Sequence, residues 1–160
     1  RDSTKSIVFG DKNWEQSTPL WYGFVIWLAL TLYWTAPYII CSQGLQMPLP
    51  WLAVCMMSFI IGVFLHFTSD MQKHTALSLK PGLITTGLWS RLRNPNYFGE
   101  LLIYLGFVAI PQHWVPLTAL AAMVAFYWVP NMLKKDASLS RYPEWPEYRS
   151  RSKRFIPFVW

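Results

Sequence analysis

The chain has 160 residues, of which 53% are hydrophobic, 18% aromatic and only 14% charged, a balance that fits at most one domain and is too apolar for an ordinary soluble one. Its net charge of +6 falls between apolar blocks and so speaks of membrane orientation, which leaves no case for a nucleic-acid partner. The two cysteines, Cys41 and Cys55, have neither a CxxC nor a metal-ligand spacing; this excludes a disulfide framework and a metal site and leaves packing as their role.

Residues 1–19 come first. Their basic and acidic side chains balance, and without a long apolar run they are expected to form a polar lead-in rather than a signal peptide. Leu20 to Ile40 and Pro50 to Phe67 then carry no charge, and each is close to the ~20 residues a bilayer core requires. A third apolar block, Leu101 to Ile110, is short but gains a polar first turn from Pro95. Pro111-Gln112-His113 makes a tight connection to the fourth, Trp114 to Val129. The expected fold is therefore all-α: a polytopic membrane domain over 20–160 with about four transmembrane helices, the last two a hairpin, and a basic amphipathic tail.

Charge placement tests that topology. Four crossings put the N-terminus, the 68–97 loop and the C-terminal tail on one side, and that side holds all 14 Lys and Arg. By the positive-inside rule it is the cytoplasmic, matrix or stromal face of a multi-pass protein. Trp21, Tyr22, Trp51, Trp89, Tyr97, Trp114 and Trp128 cluster near block ends, as interfacial anchors do.

The chemistry gathers in GLWSRLRNPNYFGE, Gly87 to Glu100. Asn94 is placed to cap a helix and Pro95 to open it, and the exposed N–H groups of that junction, with Arg91 and Arg93, would seat an anion. Counted as one helix, Arg93, Tyr97, Glu100 and Tyr104 fall near one face. On a helix otherwise made of Leu, Ile and Phe, such a stripe must face protein or a cavity. Glu100 is then either the partner of Arg93 in a structural ion pair or a functional carboxylate, and Gly99 is the small residue that admits a neighbour. In the preceding loop, Lys73 and Lys80 are placed to reach phosphates and Asp70 or Gln72 to bind a ribose or amide; the alternative is a solvated positive-inside loop. His66 lies one turn before Asp70. The tail alternates Tyr142, Trp145 and Tyr148 with Arg141, Arg149 and Arg151, a pattern that suits stacking on a base or lying on anionic headgroups.

These runs resemble a known group. GLWSRLRNPNYFGE is similar to the R-H-P-N-Y-x-G-E signature of the membrane superfamily that joins isoprenylcysteine carboxyl methyltransferases, phospholipid N-methyltransferases, sterol reductases and steroid 5-alpha-reductases. SLSRYPEWPEYRSRSKRFIP is similar to its closing segment. The usual His of the signature is Asn94 here. The resemblance spans about Ser69 to Pro157 and implies a cofactor-binding part over 69–157, in which Asp70, Gln72, Lys73, Arg93 and Asn96 bind the cofactor, Tyr97 and Glu100 act on substrate, and Asp136, Tyr148 and Arg149 close the site. The Asp70-x-Gln72-Lys73 element followed by GLW resembles the steroid 5-alpha-reductase-like branch. It implies an NADPH-dependent reductase of a membrane-embedded steroid-like or enone lipid. The methyltransferase branch implies S-adenosylmethionine and a lipid or isoprenylcysteine carboxylate. A third reading is a non-catalytic subunit within a larger membrane complex.

Overall fold

The computed structural model describes residues 33–160 together with Leu20, Gly23, Phe24, Trp27 and Thr31; the lead-in expected over 1–19 lies outside the described residues. Of the first apolar block, those five described positions are helical, and the chain turns at Tyr33 and Trp34. The helices that follow are α1 (Thr35–Gln43), α2 (Leu49–Leu79), α3 (Pro95–Val108), α4 (Trp114–Met123), α5 (Val129–Leu139) and α6 (Trp145–Arg151). A 3-10 turn, Gly87–Ser90, precedes α3, and a π-helical turn, Val124–Trp128, joins α4 to α5. Among the described residues there is no strand, and Leu92 pairs with Lys153 in an isolated parallel bridge.

Local chemistry accounts for most boundaries. Gly44 ends α1 in the left-handed conformation at φ 59°, which costs a residue without Cβ little. Prolines open α2 and α3 in their first turns, where a missing N–H breaks no helical bond. The His113 ring accepts a hydrogen bond from Val115 N at 3.2 Å and so caps α4. The π turn lies directly before Pro130, whose ring cannot follow an unaltered α-helical turn. The ladder slips there, and Val129 N–H donates to Val124 O.

Among the described residues, two helices are long and apolar enough to cross a membrane: α2, with 31 residues, and the continuous Trp114–Leu139 run, with 26. At 1.5 Å per residue α2 is about 46 Å long, so its polar last turns extend beyond a ~30 Å hydrocarbon core. α3 has 14 residues, about 21 Å, and is too short to cross alone. α2 and the Trp114–Leu139 run thus have the length for two of the four expected crossings, the first of the four lies mostly outside the described residues, and α3 forms a helical hairpin with Trp114–Leu139 through Pro111–His113.

α2 and α3 pack antiparallel at backbone contact. A Cβ at Gly99 would stand 2.5 Å from His66 N and 2.8 Å from Gly62 O, and one at Gly106 would stand 2.6 Å from Cys55 O. Gly99 therefore admits a neighbour as expected, and the neighbour is the α2 backbone. Ser58 Oγ donates to Leu102 O at 2.9 Å, and Trp51 Nε1 to Ala109 O at 3.0 Å. Cys55 is buried in this interface, whereas Cys41 is exposed. The outward residues of α2, among them Met56, Phe59, Ile60, Phe64 and Phe67, are exposed and apolar, which suits lipid and not water.

A second core forms where the tail returns. Buried Trp128, Met132 and Phe155 pack with Tyr97, Phe98, Leu101 and Tyr104. This draws the start of α3, the π turn, the start of α5 and the tail together at one end of the bundle. The far connections, 41–48 and 109–113, carry no Lys or Arg.

Candidate functional site

Two polar assemblies meet at the start of α3. The first is a buried clasp around Asp136. Arg93 does not continue the α3 stripe: Leu92 is tied to Lys153, Arg93 N donates to Lys153 O at 2.8 Å, and helical geometry begins only at Pro95. The helix starts two residues after Arg93, so helical spacing does not extend the stripe back to it. The Arg93 guanidinium instead donates through Nη1 to Ser152 O at 2.7 Å and lies over the Trp145 ring. Its Nε stands 3.3 Å from Asp136 Oδ1 without hydrogen-bond alignment, so that contact is an ion pair alone. Arg154 Nε donates to Asp136 Oδ2 at 2.8 Å. The expected structural pairing of Arg93 with Glu100 is thus replaced by Arg93–Asp136–Arg154.

Asn94 is fully buried and its side chain does not cap α3. Its Nδ2 donates to Arg154 O at 2.8 Å, and its Oδ1 accepts from Lys135 Nζ at 2.8 Å. Lys135 also donates to Arg93 O and lies 4.5 Å over the Trp89 ring. Tyr148 OH donates to Trp89 O at 2.6 Å, and Trp89 Nε1 donates to Ser69 O at 3.2 Å. Asp70, Gln72 and Lys73 lie not in a loop, as expected of 68–97, but on the last turns of α2, which runs on to Leu79; from there Gln72 accepts from Leu88 N and donates to Thr86 O. Arg93, Asp136, Tyr148 and Gln72 are brought to one end, with their polar groups turned to the protein itself.

Burial pushes the Tyr148 phenol up from 10.0 to about 12. A group whose folded pKa is raised contributes stability below its unfolded pKa and loses it as pH rises through the folded one. Tyr148→Phe is expected to cost about 1–3 kcal/mol at neutral pH, since Trp89 O loses a buried donor. Between pH 10 and about 12 the native protein should lose stability faster than the variant, as denaturant titrations at each pH would reveal.

The second assembly lies deeper, between α2, α3 and the π turn. Tyr97, Glu100 and Tyr104 share one face of α3 and are half-buried. Glu100 stands close enough to Tyr104 and His66, and Asn131 close enough to Tyr97, for each to act on its neighbour electrostatically. From α2, the His66 ring makes a 3.2 Å contact through Nδ1 with Asn96 O and a 3.7 Å one through Nε2 with Asp70 Oδ2. Asn96 Oδ1 is buried without a hydrogen-bond partner. Tyr97 and Tyr104 both pack on Trp128, with ring centroids 5.5 and 5.9 Å away. Beyond Tyr104, an apolar cavity of about 50 Å³ is lined by Tyr33, Val108, Leu120 and Met123 among others. Lys73 and Arg149 are exposed at the basic end.

Sequence reasoning gave Trp89 and Trp128 only an anchoring role at block ends, and it did not assign Lys135, Ser152 and Arg154 to the clasp or Tyr33 to the deeper assembly. Their partners lie far along the chain and no local spacing announces them.

Neither the curated proteins nor the solved structures provide a match to this chain. A family model does, over residues 10–153, under the description "Protein of unknown function (DUF1295)". The match takes in both polar assemblies except Arg154 and the last turn, and by it the chain belongs to the DUF1295 family, within the steroid 5-alpha-reductase-like superfamily.

Proposed function

We propose that the protein is an NADPH-dependent reductase of a membrane-embedded lipid carrying a polarised double bond, such as a steroid-like enone. The observation that carries this reading is the phenol–carboxylate group on α3, the half-buried Glu100 between Tyr97 and Tyr104 on one helix face. Reduction of an enone needs a proton donor at the depth of the lipid, whereas methylation of a carboxylate needs positioning and no strong acid.

The residues present fit a nicotinamide cofactor. The unpartnered Asn96 Oδ1 is an acceptor suited to a carboxamide N–H or a ribose hydroxyl, and exposed Lys73 and Arg149 suit phosphates. Asp70 stands beside them at the aqueous end. Arg93, Asp136, Tyr148 and Gln72 act from behind, holding the backbone from Thr86 to Tyr97 in place. When bound, the cofactor supplies a hydride to the electron-poor carbon. Tyr104 orients the substrate oxygen, Glu100 holds the proton that passes to the adjacent carbon, and Tyr97 keeps Glu100 screened from water.

The test is thermal stabilisation of the purified protein in detergent. NADPH at 100 times its dissociation constant should add about 2.7 kcal/mol, and S-adenosylmethionine at the same concentration should add nothing. Stabilisation by S-adenosylmethionine alone would replace this reading with a lipid or isoprenylcysteine methyltransferase. Stabilisation by neither would point to a non-catalytic subunit of a larger membrane complex. With NADPH binding established, Glu100→Gln should keep the stabilisation while losing consumption of NADPH in the presence of an enone lipid.

A further inference from the structure

The tail turn 156–160 meets the clasp through Trp160 alone among the contacts described, and it is closed by its own backbone. Phe155 N and Ile156 N both donate to Trp160 O, at 2.7 and 2.9 Å, and Val159 N and Trp160 N donate back to Ile156 O. Arg154, held by Asp136, lies 4.9 Å over the Trp160 ring. The closed turn sets Phe158 at φ 65°, a left-handed conformation that bulky residues avoid. The Phe158 side chain is nonetheless 92% exposed, and Val159 beside it is exposed as well. A strained backbone that presents a phenylalanine to the outside implies something outside to receive it.

Depth identifies the receiver. Phe155 is buried against Trp128, and Trp128 packs on Tyr97, so the turn folds back beside the first turns of α3 and does not project past the bundle end. The same level on α2 is marked by His66, which contacts Asn96 O, and the next residue there, Phe67, is an exposed apolar side chain. In the segment that leads into the turn and the one paired with it through Leu92 and Lys153, Arg91, Arg149, Arg151 and Lys153 are all exposed, Arg151 within 3.6 Å of Glu147. An apolar tip next to a collar of cations is complementary to the boundary between acyl chains and anionic headgroups.

We propose that the turn 156–160 is a lipid-contact surface, with Phe158 and Val159 inserted at the membrane boundary and the Arg91–Lys153 collar drawn to anionic headgroups. This holds whether or not the protein is a reductase.

A nitroxide at position 158 tests it in the full chain, using Phe158→Cys on a Cys41→Ser background, with Ser150→Cys as the aqueous reference. The proteins are reconstituted in vesicles of phosphatidylcholine alone or mixed with phosphatidylglycerol. The probe at 158 should collide more with oxygen than with a water-soluble nickel chelate, and the ratio should rise in the anionic vesicles. Neutralising Arg151 and Lys153 with glutamine should abolish that rise. A probe at 158 as open to nickel as the one at 150, in both vesicles, would overturn the proposal. Exclusion of both oxygen and nickel would also overturn it, in favour of a protein partner.

Discussion

Replacing Asp136 by alanine should destabilise the protein by about 3–5 kcal/mol, since it leaves two guanidinium groups buried beside a lost partner. The Arg93 and Asp136 side chains are 7% and 10% exposed, and Arg154 is 16% exposed, so water does not replace the missing carboxylate. Reversible unfolding in detergent would measure the loss. Asp136→Asn should lose nearly as much, because an amide keeps the shape and removes the charge. The position also controls the site. Arg93 holds Ser152 O, and Asn94 holds Arg154 O, so loosening the clasp frees the tail and the start of α3 together. A loss below about 1 kcal/mol, the scale of an exposed ion pair, would mean that the clasp is not the lock described.

Gly99→Val is expected to be at least as damaging. A Cβ there meets His66 N at 2.5 Å and Gly62 O at 2.8 Å. Both are main-chain atoms, so no side chain can swing aside and the helices must separate. Overpacking a core usually costs about 1–3 kcal/mol, and a clash between two backbones belongs at or above the top of that range. Even Gly99→Ala should show much of the effect, because the overlapping atom is the Cβ itself. Gly23→Ala, where nothing lies within 4 Å, is the matched control, and thermal melts in one detergent compare them. Comparable melting of all three proteins would contradict backbone contact between α2 and α3. Glu100 follows Gly99 directly, so separation would also displace the α3 phenol–carboxylate group from His66.

The parts of this architecture that were legible in the sequence obey local rules. Pro95 marks where α3 begins, and the charge-free blocks mark α2 and the Trp114–Leu139 run, whereas the block from Leu20 to Ile40, expected as one helix, is interrupted by the turn at Tyr33 and Trp34. Gly99 was legible as a point of close approach, though only three-dimensional packing names the approaching chain. Arg93 shows where such rules stop. Helical spacing gave it a place beside Tyr97, but the bridge between Leu92 and Lys153 holds the preceding backbone extended and turns the side chain the other way. Asn94 was correctly placed before α3, yet tertiary partners outcompete the capping bond its type prefers. Tyr148 sits in an aromatic and basic tail that suited stacking on a ligand, and a single carbonyl, Trp89 O, is what it holds.

The clasp also bears on how the protein is made. Arg93 and Ser152 are separated by 59 residues in the chain, and the segment between them includes α3 and the whole Trp114–Leu139 helix. A chain emerging from the ribosome therefore has to place α3 while the Arg93 guanidinium still lacks its carboxylate, and holds that charge among headgroups until Asp136 arrives. Closure waits until 149–154 has been made. A nascent chain arrested before Arg154 should therefore remain a substrate for membrane quality control although α2, α3 and the Trp114–Leu139 helix are already in place.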